Sequence, residues 1–165
     1  MIKKILVAYD GSEPADKAFD YALEFAGKFD SEIEVAGVLR PPEFGGALEA
    51  AAMIEDGRRH FLEQTRKLEE RAHRAGITVR CRSLVGHPGD QIVRCAAEVG
   101  AGLVILGVRG KSLVQRWLTG STAKQVMSHA HCSVLIARCL AGVTGFEPAT
   151  PRSRMRLAGA RTFPP

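Results

Sequence analysis

Five short apolar runs are spaced along the chain. The first, residues 2–9, is nearly continuous and rich in β-branched side chains, which is typical of a strand covered on both faces. Four later runs have the same character and occupy residues 33–39, 78–85, 103–106 and 133–137. The pattern therefore predicts five β-strands.

Helices are predicted in the intervals between these runs. The first has Pro14 in its opening turn and Ser12 or Glu13 as its cap, positions that these residue types favour. A later helix opens at Pro88 and ends near Gly100, because glycine commonly stands just beyond the last helical turn.

The interval between the second and third strands is less regular. An apolar stripe at helical spacing covers residues 61–75 and stops at Gly76. Residues 41–57 before it are rich in glycine and alanine and give no clear assignment. A further helix is predicted over residues 121–130, which brings the number of helices to four.

This alternation predicts a single α/β domain with a doubly wound, five-stranded parallel sheet flanked by four helices, in the strand order 3-2-1-4-5. Right-handed crossovers place helices on both faces of such a sheet. Ligands bind beyond the carboxyl ends of its strands, where the winding reverses. Asp10, Val38 and Gly107 lie at predicted carboxyl ends, so function is sought there.

The periodicity stops after Arg138. We therefore expect a domain over residues 1–139 and a basic, disordered tail over residues 140–165. The tail holds four arginines, one glutamate and few large aliphatic side chains. Burial of so little apolar surface cannot offset the cost of ordering the backbone, about 1–2 kcal/mol per residue.

Composition narrows the function classes further. The tail carries +3 of the net charge of +5, and the remaining +2 is spread among interleaved acids and bases, so no nucleic-acid partner is predicted. No apolar run approaches the roughly 20 residues that span a membrane, and residues 5–9 are too short for the apolar core of a signal peptide. The four cysteines form no CxxC pair and show no zinc-ligand spacing. We expect a cytoplasmic protein that makes no membrane contact.

Glycines mark the segment between the fourth strand and the last helix. Gly107 and Gly110 are separated by two residues, and nine more residues lead to Gly120 and Ser121 at the start of that helix. Glycine lets backbone amides approach an anion closely, and a helix N-terminus adds free N–H groups and a positive dipole end. The spacing favours a phosphate site, although turn formation without a ligand explains the glycines equally well.

The same spacing resembles the ATP-binding signature of the universal stress protein family. Residues 5–12, 86–88 and 134–136 also resemble segments of that family, in the same order, and the resemblance covers about residues 1–138. It implies an ATP-binding regulatory protein in the stress response. It also implies a Mg or Mn ion bridging the phosphates and a homodimer formed through the last strand, whose unprotected apolar edge favours pairing.

The resemblance further implies where ATP is held. The ribose contact maps onto Asp10 and the adenine contact onto Val38. The implied site comprises Asp10, Val38, Gly107, Arg109, Gly110, Gly120, Ser121 and Thr122. Asp10 has an alternative use, because an aspartate at this place can simply stabilise the following turn or cap the helix.

The chain departs from the family at two places. Val108 and Arg109 stand between the first two glycines, where the family often has a small polar residue and histidine. Ser133 stands where the family commonly has proline after a cysteine. Neither departure removes an expected backbone donor.

Two other functions remain open: a homodimeric interaction protein that does not use nucleotide, and a slow metal-assisted ATPase. The sequence shows no catalytic residue, no metal ligand set, no Gly-x4-Gly-Lys-Ser/Thr loop and no Gly-x-Ser-x-Gly elbow. A response regulator would need clustered acids at the strand ends, where only Asp10 qualifies. Binding, with hydrolysis slow at most, is the expectation.

Overall fold

The computed structural model describes residues 2–42, 46–110 and 120–140. For residues 109–110 and 139–140 it describes the backbone only. The expected disordered tail lies outside the described residues, apart from Leu140.

The described residues form one five-stranded, fully parallel sheet. Its strands are β1 (Lys4–Ala8), β2 (Glu32–Leu39), β3 (Val79–Val85), β4 (Leu103–Gly110) and β5 (Ser133–Leu140). They lie in the order β3-β2-β1-β4-β5, with Val7 of β1 aligned with Val35 of β2 and with Ile105 of β4. The predicted sheet and its strand order are confirmed.

Four helices connect the strands. They are α1 (Glu13–Phe29), α2 (Ala47–Arg74), α3 (Pro88–Val99) and α4 (Ser121–His129). Helices α1 and α2 contribute to one buried cluster and α3 and α4 to another, so the sheet is covered on both faces as predicted. None of the helices in the described part of the chain is long and apolar enough to cross a membrane.

The central strand β1 supplies side chains to both clusters. Ile5 and Val7 pack with Phe19 of α1 on one face, whereas Leu6 packs with Ile92 of α3 on the other. All five side chains are buried. Burying a side chain of this size contributes about 1.5–3 kcal/mol, so the continuous apolar run at β1 is what the two-sided packing requires.

The ends of α1 and α3 agree with their predicted signals. Ser12 is the N-cap of α1, and its Oγ accepts a hydrogen bond from the Ala15 amide at 3.4 Å. Pro88 opens α3, and Gly100 ends it in the left-handed region at φ 67°. These residues place both helix N-termini at the carboxyl edge of the sheet.

Strand β4 is longer than predicted. The sequence indicated that β4 ends at residue 106 and β5 at residue 137, but the two strands stay paired from Gly107 opposite Ala137 to Gly110 opposite Leu140. The glycines were interpreted as turn residues. A strand also tolerates glycine, however, at a position where another segment of backbone packs closely against it. The first two glycines of the motif therefore lie on a strand and not in a loop.

Helix α2 begins earlier than the apolar stripe indicated. It starts at Ala47, so the unassigned residues 41–57 include about three helical turns. Ala50 and Ile54 are only partly covered there and Leu48 is exposed, because these turns lie at the margin of the core. Without a buried face, no apolar period marks this part of the helix.

The two edges of the sheet differ in character. Edge strand β3 carries Arg80 and Arg82, and Arg82 Nε donates to the buried Glu34 Oε1 of β2 at 2.5 Å. Edge strand β5 presents residues 134–136, which are apolar and only partly buried. Charged side chains discourage strand addition at β3, whereas on β5 the described charged residue, Arg138, follows this apolar stretch and does not interrupt it.

The packing of α2 gives a first prediction. Leu68 is 1% exposed in the core and Leu62, on the same helix, is 53% exposed. Leu68→Ala is expected to reduce the free energy of unfolding by about 2–5 kcal/mol, because it leaves a cavity. Leu62→Ala, the matched control, should cost less than about 1 kcal/mol. Urea denaturation measures both, and similar losses would show that α2 packs differently.

Candidate functional site

A cleft of about 800 Å³ opens at the carboxyl edge of the sheet. It lies between the ends of β1, β2 and β4 and the first turns of α1, α3 and α4. The residues that line it are Ala8, Tyr9, Asp10, Ser12, Pro14, Ala36, Val38, Pro88, Ile92, Leu106, Gly107, Val108, Gly120, Ser121, Thr122, Ala123 and Lys124. Its position agrees with the expected location of ligands in a doubly wound sheet.

Small side chains at the ends of two strands make room for the cleft. Ala8 of β1 and Ala36 of β2 are register partners, and both line it. Val38, Ile92 and Leu106 add apolar surface around them. A mostly apolar pocket with a few polar groups at its margin is typical of small-molecule sites.

Asp10 stands at the end of β1 and shapes the turn that follows. Its Oδ1 accepts hydrogen bonds from the Ser12 amide at 3.1 Å and from Ser12 Oγ at 2.5 Å. Gly11 between them has φ 76°, and a Cβ at Gly11 would meet the side-chain amide of Gln64 in α2. The alternative use of Asp10, turn stabilisation, is therefore present in the structure.

The buried side chain of Tyr9 contacts the first turn of α1. Its hydroxyl donates to Asp16 Oδ1 at 2.9 Å. Burial, followed by this hydrogen bond to a carboxylate, raises the pKa of the Tyr9 phenol above its ordinary value. The phenol therefore stays neutral and donates its one proton to Asp16, beside the wall of the cleft.

The N-terminus of α4 closes the other side of the cleft. Gly120 is the N-cap, and the first turn contains no acidic residue. The Lys124 amide donates to the Gly120 carbonyl at 3.1 Å, so the amides before it precede the hydrogen-bond ladder of the helix. These amides and the hydroxyls of Ser121 and Thr122 can serve as donors to an anion.

Gly107 has a packing role that sequence reasoning did not identify. The N-terminal turn of α1 crosses β4 so closely that a Cβ at Gly107 would overlap the Pro14 carbonyl and would lie 2.5 Å from the Ala15 amide nitrogen. The absence of a side chain at Gly107 is therefore needed to seat α1 on the sheet. The residue also lines the cleft.

The structure brings most of the predicted site together. Six of the eight predicted residues line the cleft: Asp10, Val38, Gly107, Gly120, Ser121 and Thr122. Arg109 and Gly110 lie on β4, where only the backbone is described, and residues 111–119 lie outside the described part of the chain. Their predicted phosphate contacts stay predictions.

Several lining residues were missed from the sequence. Ala36 and Ile92 belong to ordinary strand and helix patterns, and only the strand order shows that they face one cleft. Lys124 could have been found, because it lies three residues after Ser121 and so occupies the same face of α4.

Two described cysteines of the core have unreactive surroundings. Burial raises the pKa of the Cys95 thiol, and it raises the pKa of Cys81 to about 12. A thiol reacts as its thiolate, so neither is an activated nucleophile. Within the described ranges, no group of three or more His, Cys, Asp or Glu is placed to hold a metal ion.

The sequence match decides the family. Residues 1–138 match the universal stress protein family. The chain belongs to this family. It is 30% identical over 145 residues to a universal stress protein of Methanocaldococcus jannaschii, a match that covers 84% of this chain and 83% of the relative.

Solved structures of universal stress proteins share the fold. One, in complex with cAMP, is 27% identical with a TM-score of 0.62, and the match covers 82% of this chain and 96% of that one. Another, a universal stress protein family protein from Arabidopsis thaliana with AMP bound, is 20% identical with a TM-score of 0.64, covering 89% and 98%. At that identity the second likeness concerns the fold alone.

Gly107 gives the second prediction. Gly107→Ala is expected to lower the free energy of unfolding by about 1–3 kcal/mol or more, because the backbone of α1 cannot rotate away as a side chain could. The control is Gly27→Ala in α1, where no atom of the described residues lies within 4 Å of the added Cβ. This control should stabilise the protein by about 0.5–1 kcal/mol. Thermal denaturation compares the two, and a neutral Gly107→Ala would contradict the close approach.

Proposed function

We propose that this protein binds ATP in the cleft and acts as a regulatory module, with ATP occupancy changing its conformation or its association. The observation that supports this most is the meeting of Asp10, Val38 and the N-terminus of α4 around one cleft. Complexes of two universal stress proteins with cAMP and AMP place adenine nucleotides in the same fold. We place this activity in the cytoplasm.

The size and lining of the cleft suit a nucleoside. Its volume of about 800 Å³ falls within the range of small-molecule pockets, roughly 300–1,000 Å³. In the proposed complex the adenine packs against Val38, beside the space left by Ala8 and Ala36. The carboxylate of Asp10 accepts hydrogen bonds from the ribose hydroxyls, since it has acceptor sites beyond those that Ser12 occupies.

The phosphates then extend toward α4. The amides of its first turn and the hydroxyls of Ser121 and Thr122 donate to phosphate oxygens, and the helix dipole favours the negative charge. A Mg or Mn ion would be held mainly by the phosphates, as is usual for Mg in nucleotide sites. That role fits a site whose described residues include no metal cluster of their own.

Regulation fits this site better than fast catalysis. The one carboxylate among its described lining residues, Asp10, is engaged by Ser12 and placed at the ribose end of the proposed complex. A general base for hydrolysis must reach a water beside the last phosphate. We therefore propose slow turnover at most.

Two variants test ATP binding. Asp10→Ala should weaken ATP by about tenfold to a hundredfold, the scale of a hydrogen bond to a charged group. Gly120→Val should weaken it as well, because a β-branched side chain obstructs the approach of phosphate to the amides of α4. Among the described residues, no atom lies within 4 Å of the added Cβ. Calorimetric titration with ATP and magnesium or manganese measures both, with circular dichroism to verify folding.

Two control variants distinguish a loss of ATP binding from a loss of folding. Asp10→Asn keeps an acceptor for Ser12 while it removes the charge, and Asp56→Ala removes an exposed carboxylate of α2 outside the cleft. Asp56→Ala should bind ATP like the parent. Unchanged affinity in folded Asp10→Ala and Gly120→Val would place the nucleotide elsewhere, and a parent without saturable ATP binding would favour the nucleotide-independent interaction protein.

We further propose a homodimer through β5. This edge has no charged residue among positions 134–136, and beside it a groove is lined by Tyr21, Phe25 and Leu135. Tyr21 is 37% exposed, and Lys28 of α1 borders the same groove. Pairing of two β5 strands would satisfy the open backbone groups and cover these aromatic rings.

Introducing a charged side chain on β5 tests the proposed dimer. Leu135→Lys and Ile136→Lys should shift the mass measured by light scattering toward the monomer, because a buried ammonium at the strand pair is costly. Val85→Lys at the opposite edge is the control and should leave the mass unchanged. An unchanged mass for both folded β5 variants would place the interface elsewhere.

A further inference from the structure

Charge is distributed unevenly around the cleft. Among the lining residues that the structure describes, two are charged, Asp10 at the end of β1 and Lys124 on α4, and the others are neutral. The cleft therefore has a negative side and a positive side. A ligand with a hydroxyl-bearing end and an anionic end can satisfy both sides in only one orientation.

Lys124 occupies a position that the helix alone disfavours. A cation near a helix N-terminus faces the positive end of the dipole, and α1, α2 and α3 all have acidic residues in their first turns. The first turn of α4 has none, and within the described residues no carboxylate lies within 4.0 Å of the Lys124 ammonium. The Lys124 ammonium and the positive end of the α4 dipole both favour an anion at this end of the cleft.

We propose that Lys124 selects ligands by their number of phosphates, favouring ATP and ADP over AMP and adenosine. This proposal rests on the proposed function, in which the phosphates extend toward α4. The amides and hydroxyls near Gly120 engage the first phosphates they meet. Lys124, about one helical turn further along, can then reach the terminal oxygens as a flexible point charge.

Asp10 favours the orientation in which Lys124 meets the phosphates. Its carboxylate repels phosphate, so a nucleotide bound in the reverse orientation would place like charges together. In the proposed orientation a polyphosphate gains an attraction at Lys124 that adenosine cannot gain. AMP, with one phosphate engaged at the amides, gains little.

A titration series tests the role of Lys124. Adenosine, AMP, ADP and ATP are titrated into the parent and into Lys124→Met, with magnesium present. The substitution should weaken ATP by about tenfold, the scale of a charge-assisted hydrogen bond, and should leave adenosine unchanged. Lys124→Arg should keep most of the ATP affinity, and the effect of added salt on ATP binding should be smaller in Lys124→Met than in the parent.

The control and the contrary outcomes are distinct. Lys67→Met removes an exposed lysine of α2 outside the cleft and should leave all four affinities unchanged. Equal losses for adenosine and ATP in Lys124→Met would mean a purely structural role, and no loss at all would overturn the selection while ATP binding stands. A parent that binds AMP as tightly as ATP would also overturn it, and a parent that binds no adenine nucleotide would overturn the proposed function together with it.

Discussion

The close approach of α1 to β4 is the constraint on which the rest of the site depends. Gly107 lets the Pro14 and Ala15 backbone reach the strand. With α1 seated there, Ser12 caps the helix, Asp10 is drawn into the intervening turn, and Tyr9 is fixed by Asp16. The lack of a side chain at Gly107 on β4 thus fixes the position of α1, whose first turn forms one wall of the cleft.

The fold was predictable because its main signals are local and repeated. An apolar run such as residues 2–9 indicates a strand that is buried on both faces. Pro14 and Pro88 indicate the first turns of helices. The structure departs from the prediction at the ends of β4 and β5, and it supplies helical turns of α2 where the sequence pattern allowed no assignment. The local pattern of the sequence indicates which residues are buried and where turns occur. The length of β4, however, depends on its pairing with β5, and the first turns of α2 bury too little apolar surface to produce a pattern.

The site was only partly predictable for a related reason. Gly120 and Ser121 carry a spacing that can be read directly from the chain, but the role of Gly107 depends on the path of α1, which is not local. Ala36 and Lys124 are ordinary residues in their own elements. They become parts of one cleft only when the strand order brings β2 and α4 to the same edge of the sheet.

The unlike edges of the sheet limit how far it can grow. Arg80 and Arg82 make β3 a poor template for another strand, while the apolar residues 134–136 leave β5 receptive. Two chains joined through β5 about a two-fold axis would expose only arginine-bearing edges at both ends of a continuous ten-stranded sheet. Such an assembly is complete at two copies, so a receptive edge that could otherwise seed a fibre becomes self-terminating.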